Sequence, residues 1–296
     1  MSDDALLAAA GRALGSEVAG ARNLAGGDIN RAWALELADG TQAFLKSRGG
    51  APLDEYGAEA MGLRWLADAG GLRVPGVLAV IGEDDVRGLA LDWIEPGALS
   101  EGGEEELGSG LALTHAAGAD EFGALPPGSP RRLLRFGGVE LPFGSVAGGS
   151  PWSRHYAARL DLLGQVAFDR GRISGDALAT LERVVSQIDE LAGPAEPPAR
   201  VHGDLWSGNV LAGSDGRPWL IDPAAHGAHR ELDLAMLELF GTVSARTLAA
   251  YEDVRALADG WAERVGLWQL QPLLVHAILF GGSYGAAVER TASRYV

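Results

Sequence analysis

Asp204, Asn209 and Asp222 are the residues whose types and spacing best suit joint chemistry. Asp204 and Asn209 lie in His202-Gly203-Asp204-Leu205-Trp206-Ser207-Gly208-Asn209, and Asp222 in Ile221-Asp222-Pro223. Between them Asp215-Gly216 separates two apolar runs, a signal for a two-residue hairpin turn. Pairing outward from that turn sets Asn209 directly opposite Asp222, with Cβ atoms roughly 4.5–5.5 Å apart. A carboxylate and an amide oxygen so placed can share one hard divalent cation. Asp204, on the loop entering the hairpin, is placed to accept a proton from a hydroxyl nucleophile. Any one of the three alone reads as a turn-stabilising residue. All three in register point to chemistry.

Two more residues extend the set. Lys46 is the only lysine of the chain, every other strong base being arginine, and the two are not interchangeable where a compact charge on a flexible stem is needed. Downstream, Tyr56, Glu59, Leu63 and Leu66 share one helical face, which puts Glu59 in an apolar stripe. A buried carboxylate there needs a partner, and Lys46 lies just upstream. Gly26, Gly27 and Asp28, in Ala25-Gly26-Gly27-Asp28-Ile29-Asn30, fit a loop whose N–H groups approach phosphate oxygens. There is no Walker A motif and no dinucleotide fingerprint. His226 and His229 are three apart and His202 could join them, but no His-Glu-x-x-His pattern supports a zinc hydrolase.

The elements that must position these residues follow from periodicity. Arg31 to Leu37 and Gln42 to Lys46 flank Ala38-Asp39-Gly40 as a hairpin, Asp54 to Ala69 is a helix, and Val77 to Ile81 and Gly88 to Ile94 are strands. Glu95-Pro96-Gly97 marks a boundary. Beyond it Leu107 to Ala117, Trp152 to Arg170 and Ser174 to Leu191 read as helices, whereas Ala119 to Ser150 reads as irregular. Asn209 to Ala212 and Trp219 to Ile221 are short strands. The expectation is an α+β chain of two lobes: residues 1–94, antiparallel β with one main helix, and residues 95–296, mostly helical.

A chain of 296 residues is long enough for two lobes. With no cysteine, disulfides and thiolate chemistry are excluded. Asp3 and Asp4 stand where an export signal would carry basic charge, and Leu267 to Gly282 is too short and too polar to cross a bilayer. A cytoplasmic location is expected. The formal net charge of −16 disfavours a nucleic-acid partner; oligomeric state is not legible, and a monomer fits.

The Asp-Asn-Asp spacing resembles the catalytic loop of protein kinases, and His-Gly-Asp with Ile-Asp-Pro resembles the aminoglycoside-phosphotransferase-like branch. More specifically, Val201 to Val210 with its Trp-Ser-Gly, Ile221-Asp222-Pro223-Ala224, His229 to Met236, Leu239-Phe240-Gly241, Gly26 to Ala32, Glu59 to Leu63 and Leu273 to Tyr284 resemble the fructosamine kinase (ketosamine-3-kinase) family. The resemblance implies a protein-kinase-like fold, ATP with Mg2+, and phosphorylation of the 3-hydroxyl of a ketosamine, a repair of glycated amines. It implies Asp204 as base, Asn209 and Asp222 as magnesium ligands, and Lys46 as phosphate clamp, with Glu59 as the helix glutamate that holds it. Asp92, Trp93 and Ile94 would form the adenine hinge, and Trp206 a platform for the small sugar-amine acceptor. Two stretches depart from the family: His226-Gly227-Ala228 replaces a Tyr-Tyr-Gly run, and Ala119 to Gly149 lacks the expected Asp-Asn and Pro-Gln signals. Both bear on the acceptor. A kinase for another hydroxylated amine, aminoglycoside- or choline-like, is the alternative. A nucleotide-binding protein without turnover is the alternative of another class, and such proteins usually lose the lysine, the base or a metal ligand, all of which are present.

Overall fold

The computed structural model describes residues 2–24, 30–83, 85–131, 133–136, 139–142, 149–241 and 243–296. Helix α1 (Asp3–Leu14) starts at Ser2, whose hydroxyl accepts from the Ala5 N–H, and ends at Gly15. It covers one face of a five-stranded antiparallel sheet of β1 (Val18–Leu24), β2 (Arg31–Leu37), β3 (Gln42–Ser47), β4 (Val77–Glu83) and β5 (Val86–Asp92), in the order β1-β2-β3-β5-β4. Helix α2 (Glu55–Asp68) covers the other face. Because side chains alternate along a strand, Ala43 and Leu45 of β3 pack under Leu6, Ala9 and Ala10 of α1. Phe44 and Lys46 therefore face the α2 side, where Tyr56, Ala60 and Leu63 meet Leu89 and Leu91. One period-two strand thus builds a core with one face and presents an ammonium with the other.

The linker after β5 is stitched to the lower part of the molecule. Pro96 bridges to Gly213, the Ser214 N–H donates to Glu95 O at 2.7 Å and the Gly97 N–H to Ala212 O at 2.8 Å. Helix α3 (Glu101–Ala116) follows, then a hairpin of β6 (Leu133–Phe136) and β7 (Val139–Pro142), then α4 (Trp152–Asp169), α5 (Gly175–Ser186) and α6 (Ile188–Leu191). Strand β8 (Ala199–Val201) pairs with β11 (His226–Ala228), and β9 (Val210–Ala212) with β10 (Pro218–Leu220). Helices α7 (Glu231–Leu239), α8 (Ala245–Val254), α9 (Trp261–Phe280) and α10 (Tyr284–Ala292) complete the chain. The main core lies among α4, α5, α7, α9 and α10.

Proline in a helix interior removes one donor and blocks the carbonyl four residues back. Pro272 sits inside α9, and the buried Tyr156 hydroxyl of α4 repairs the break. It donates towards Leu267 O at 2.7 Å, with Trp268 O at 3.1 Å, and accepts the Gln271 N–H at 3.2 Å. Burial holds the Tyr156 phenol far above its ordinary value, so it stays a donor.

The α+β, two-lobed expectation holds, with differences in detail. The upper lobe carries α1 in addition to the one main helix expected. Ser174 to Leu191 is not one helix: the chain breaks at Gln187, whose N–H turns back to Val184 O at 3.1 Å. The stretch read as irregular contains β6 and β7, too short for a periodic signal to register. Among the described residues no helix is long and apolar enough to cross a membrane.

Candidate active site

Lys46 is 3 % exposed, and its Nζ lies 2.6 Å from Glu59 Oε1 and 2.6 Å from Asp222 Oδ1. The sheet, the helix and the lower lobe each contribute one member of this triad. Burial works against the charge on Lys46, yet Asp222 and Glu59 outweigh it and hold the ammonium above the ordinary lysine range. Burial pushes the Glu59 carboxyl up to about 7, Lys46 opposing. Burial also works to raise Asp222, but the charge and hydrogen bond of Lys46 prevail and hold that carboxyl below its usual range.

The loop from β8 to β9 carries Asp204. His202 is fully buried; its Nε2 lies 2.9 Å from Ile221 O and its Nδ1 accepts the Asp204 N–H at 3.3 Å, an arrangement that fixes the neutral tautomer with hydrogen on Nε2. Gly203 has φ +83, and a Cβ there would stand 2.3 Å from Ala224 O, so only glycine fits. Asp233, 1 % exposed, reaches up from the first turn of α7. It accepts the N–H of His202 at 2.7 Å and of Gly203 at 2.8 Å, and lies 3.1 Å from His115 Nε2, whose Nδ1 meets Tyr251 Oη at 2.8 Å. Asp233 thereby anchors the loop through two main-chain N–H groups. Replacing Asp233 by Ala strands two buried N–H groups and His115, a loss of about 3 kcal/mol by analogy with broken buried pairs. Urea unfolding should show it as a lower midpoint with an unchanged slope; an unmoved midpoint would refute the anchoring role.

Burial pushes the Asp204 carboxyl up to about 6, helped by the charges of Asp222 and Asp233 and opposed by Asn209. Asn209 Nδ2 donates to Asp204 O at 2.7 Å, with Asp204 Oδ2 at 3.4 Å. Its amide nitrogen is thus engaged with the loop, while its carbonyl oxygen enters no hydrogen bond among the described residues.

The hairpin after Asn209 differs from expectation by one residue of register. Leu211 faces Trp219 and Val210 faces Leu220, and the Ile221 N–H donates to Asn209 O at 3.0 Å, so Asn209 pairs with Ile221 and not with Asp222. The cause is the turn. Ser214-Asp215-Gly216 is a three-residue loop closed by the Gly213 N–H on Arg217 O at 2.9 Å, with Gly216 at φ +76, the alternative in which glycine ends the loop. Asp222 still joins the site because its backbone leaves the ladder, at φ +55, a left-handed conformation that Asp tolerates better than most residues. One carboxylate and one amide oxygen are the hard donors a magnesium ion takes. With the Asp222 side chain 48 % exposed towards the cleft, the residues present fit such an ion.

Lys46, Glu59, Asp204, Trp206, Asn209 and Asp222 all line one cleft of about 1060 Å3, at the upper end for a single ligand and roomy enough for two. Trp206 is 39 % exposed and meets Phe240 edge-on. Asp92, Trp93 and Ile94 are not among the lining residues. Asp92 is closed on Gly76, its N–H donating to Gly76 O and its Oδ2 accepting the Gly76 N–H, both at 2.9 Å, while the Trp93 indole N–H donates to Glu95 at 2.9 Å. Gly26, Gly27 and Asp28 lie outside the described residues. The three histidines do not converge on a metal: His226 Nδ1 lies 2.8 Å from Ala224 O and its Nε2 3.1 Å from Arg159 Nη1, and burial with the Arg159 charge pulls its pKa down to about 3. Sequence reasoning missed Arg48, Glu55, Arg131 and Arg135 in the cleft; for Arg48 the signal was its position two residues from Lys46, on the same side of an extended chain.

The family model for fructosamine kinase matches residues 5–126 and 147–296. The chain belongs to the fructosamine kinase family. Among its relatives are a "probable ketoamine kinase" of Synechocystis sp., 32% identical over 89% of this chain and 85% of the relative, and one of Thermus thermophilus, 33% identical over 91% and 92%. Among solved structures, a candidate fructosamine-3-kinase of Thermobifida fusca is 40% identical and superposes with a TM-score of 0.86 over 99% of this chain and 100% of that one. The fold is protein-kinase-like, and the enzyme is a phosphotransferase acting on a hydroxyl group.

Proposed function

We propose that this member of the fructosamine kinase family is an ATP- and Mg2+-dependent kinase of the 3-hydroxyl of ketosamines. The Lys46–Glu59–Asp222 triad, set in the same cleft as a carboxylate raised to about 6 at Asp204, carries the reading. Lys46, fixed by Glu59, pairs with the nucleotide's phosphates in place of its contact with Asp222. Gly26, Gly27 and Asp28 cover those phosphates, and the backbone of Asp92, Trp93 and Ile94 meets the adenine at the junction between lobes 1–94 and 95–296. Asp222 and the Asn209 carbonyl hold Mg2+, which when bound neutralises charge on the transferring phosphoryl group. Asp204 takes the proton of the sugar hydroxyl as that oxygen bonds to the γ-phosphorus and the bond to the ADP oxygen breaks. Trp206 offers its exposed face to the sugar-amine. Elimination of the 3-phosphate as inorganic phosphate, followed by hydrolysis of the resulting C=N bond by water, then releases the sugar carbons and frees the amine, a deglycation repair.

The test is MgATP turnover against ribulosamines, fructosamines, aminoglycosides and choline, with Asp204→Asn as the blank. Phosphorylation of a ketosamine, absent in the blank, is the expected result. Activity on an aminoglycoside or choline alone would move the acceptor to that class while keeping the site, and nucleotide binding with no turnover of any acceptor would favour a non-catalytic role.

A further inference from the structure

Beyond Lys46 the cleft turns basic. The start of β3 lies at the proposed adenine end, where Ala43 pairs with Asp92, so the strand runs through Lys46 towards Arg48, about 7 Å further on along an extended chain. There Arg48, Arg131 and Arg135 line the cleft around Glu55, one helical turn before Glu59. Arg48 is bonded to Glu55, Arg135 lies 3.6 Å and Arg131 3.9 Å from the same oxygen.

The other carboxylates that pair with these arginines sit at the rim. Asp54, on Arg131, is 38% exposed and Glu140, on Arg135, is 46% exposed, whereas the two arginine side chains are 11% and 17% exposed. The guanidiniums line the cleft while Asp54 and Glu140 pair with Arg131 and Arg135 from the rim, so among the described residues lining this end of the cleft Glu55 is the one carboxylate set against all three cations. Nε of Arg48 and of Arg135 is buried with no hydrogen-bond partner among the described residues, and a buried donor without a partner asks for one. A concentration of arginine at one end of a cleft, in a chain of net charge −16, attracts anions locally. Arg131 and Arg135 also fall between residues 126 and 147, the stretch the family match leaves out.

We propose that Arg48, Arg131 and Arg135 form an oxyanion subsite that binds a carboxylate or phosphate carried by the acceptor. It rests on the kinase reading for the acceptor's identity. Guanidinium forks match both anions. The enzyme then prefers ketosamines of amino acids, or of phosphorylated sugars, over those of neutral amines.

Two measurements test this. In the first, the protein saturated with Mg–AMP-PNP is titrated with sulfate and followed by thermal unfolding. Sulfate stabilises the wild type and fails to stabilise Arg135→Gln or Arg131→Gln, while Arg135→Lys keeps part of the effect. No stabilisation of the wild type, or equal stabilisation of all variants, overturns the subsite. So does a loss of AMP-PNP affinity in the glutamine variants, because the arginines would then serve the donor. In the second, kcat/KM is compared for a glycine ketosamine, its amide, and a methylamine ketosamine bearing a sugar phosphate. Charged hydrogen bonds imply a preference for an anionic acceptor of about 10–100-fold, lost in Arg135→Gln; preference for the glycine acid identifies a carboxylate, for the phosphate ester a phosphate. An acid-to-amide ratio near one, with the phosphate ester no better, overturns the proposal. If no ketosamine is turned over, the functional reading falls and the sulfate titration alone decides the subsite.

Discussion

Asp204→Asn abolishes measurable phosphorylation, lowering kcat by on the order of 10²–10⁴, the range contributed by a positioned general base, while nucleotide affinity stays near that of the wild type. The substitution is close to isosteric. Asn209 Nδ2 donates chiefly to the backbone oxygen of residue 204, and the loop hangs from Asp233 through main-chain N–H groups, so the geometry survives and only the proton acceptor is lost. The wild-type pH profile carries a second signature. Burial and the neighbouring carboxylates set Asp204 at about 6, and a base works only when deprotonated. The kcat/KM of the free enzyme therefore falls about tenfold per pH unit below about 6. Unchanged turnover in Asp204→Asn, or a flat profile between pH 5 and 7, would remove Asp204 from the role of base.

Asp222→Asn is the second large effect. Asparagine tolerates the left-handed backbone as aspartate does, so the variant tests charge without adding strain at φ +55. Lys46 is left with Glu59 alone, and the cation loses its one charged ligand of the proposed pair. Charge stabilisation of several kcal/mol by a bound metal corresponds to a fall in kcat of on the order of 10²–10⁴, with a raised Mg2+ requirement. Because the charge of Asp222 helps to raise Asp204, the acidic limb in kcat/KM moves to lower pH in this variant. Residual activity with an unmoved Mg2+ dependence would assign the metal elsewhere.

The sequence carried the local part of this site and lost the parts that depend on one residue of register or on distant contacts. The hairpin of β2 and β3 was legible because Asp39-Gly40 lies between clean alternating runs, and α2 because its apolar stripe has an obvious intruder, Glu59. Asp215-Gly216 was legible as a turn but not as a three-residue one, since the same dipeptide closes both kinds. Ser2 and Gly15 mark the ends of helix α1, but between them its buried face is one leucine and two alanines, too weak a stripe to stand out. The pairing of β8 with β11 joins three-residue strands 25 positions apart, too short for a pattern. Arg131, Arg135 and Glu55 belong to no motif, and only folding brings them to one end of the cleft.

The single lysine has one more consequence. Reducing sugars condense with unprotonated, accessible amines, and the only side-chain amine of this chain is 3% exposed and gripped by two carboxylates that keep it protonated. The arginine-only surface offers such sugars no lysine to attack. A protein proposed to reverse sugar damage is, in its own side chains, built without the lysine amines on which that damage begins.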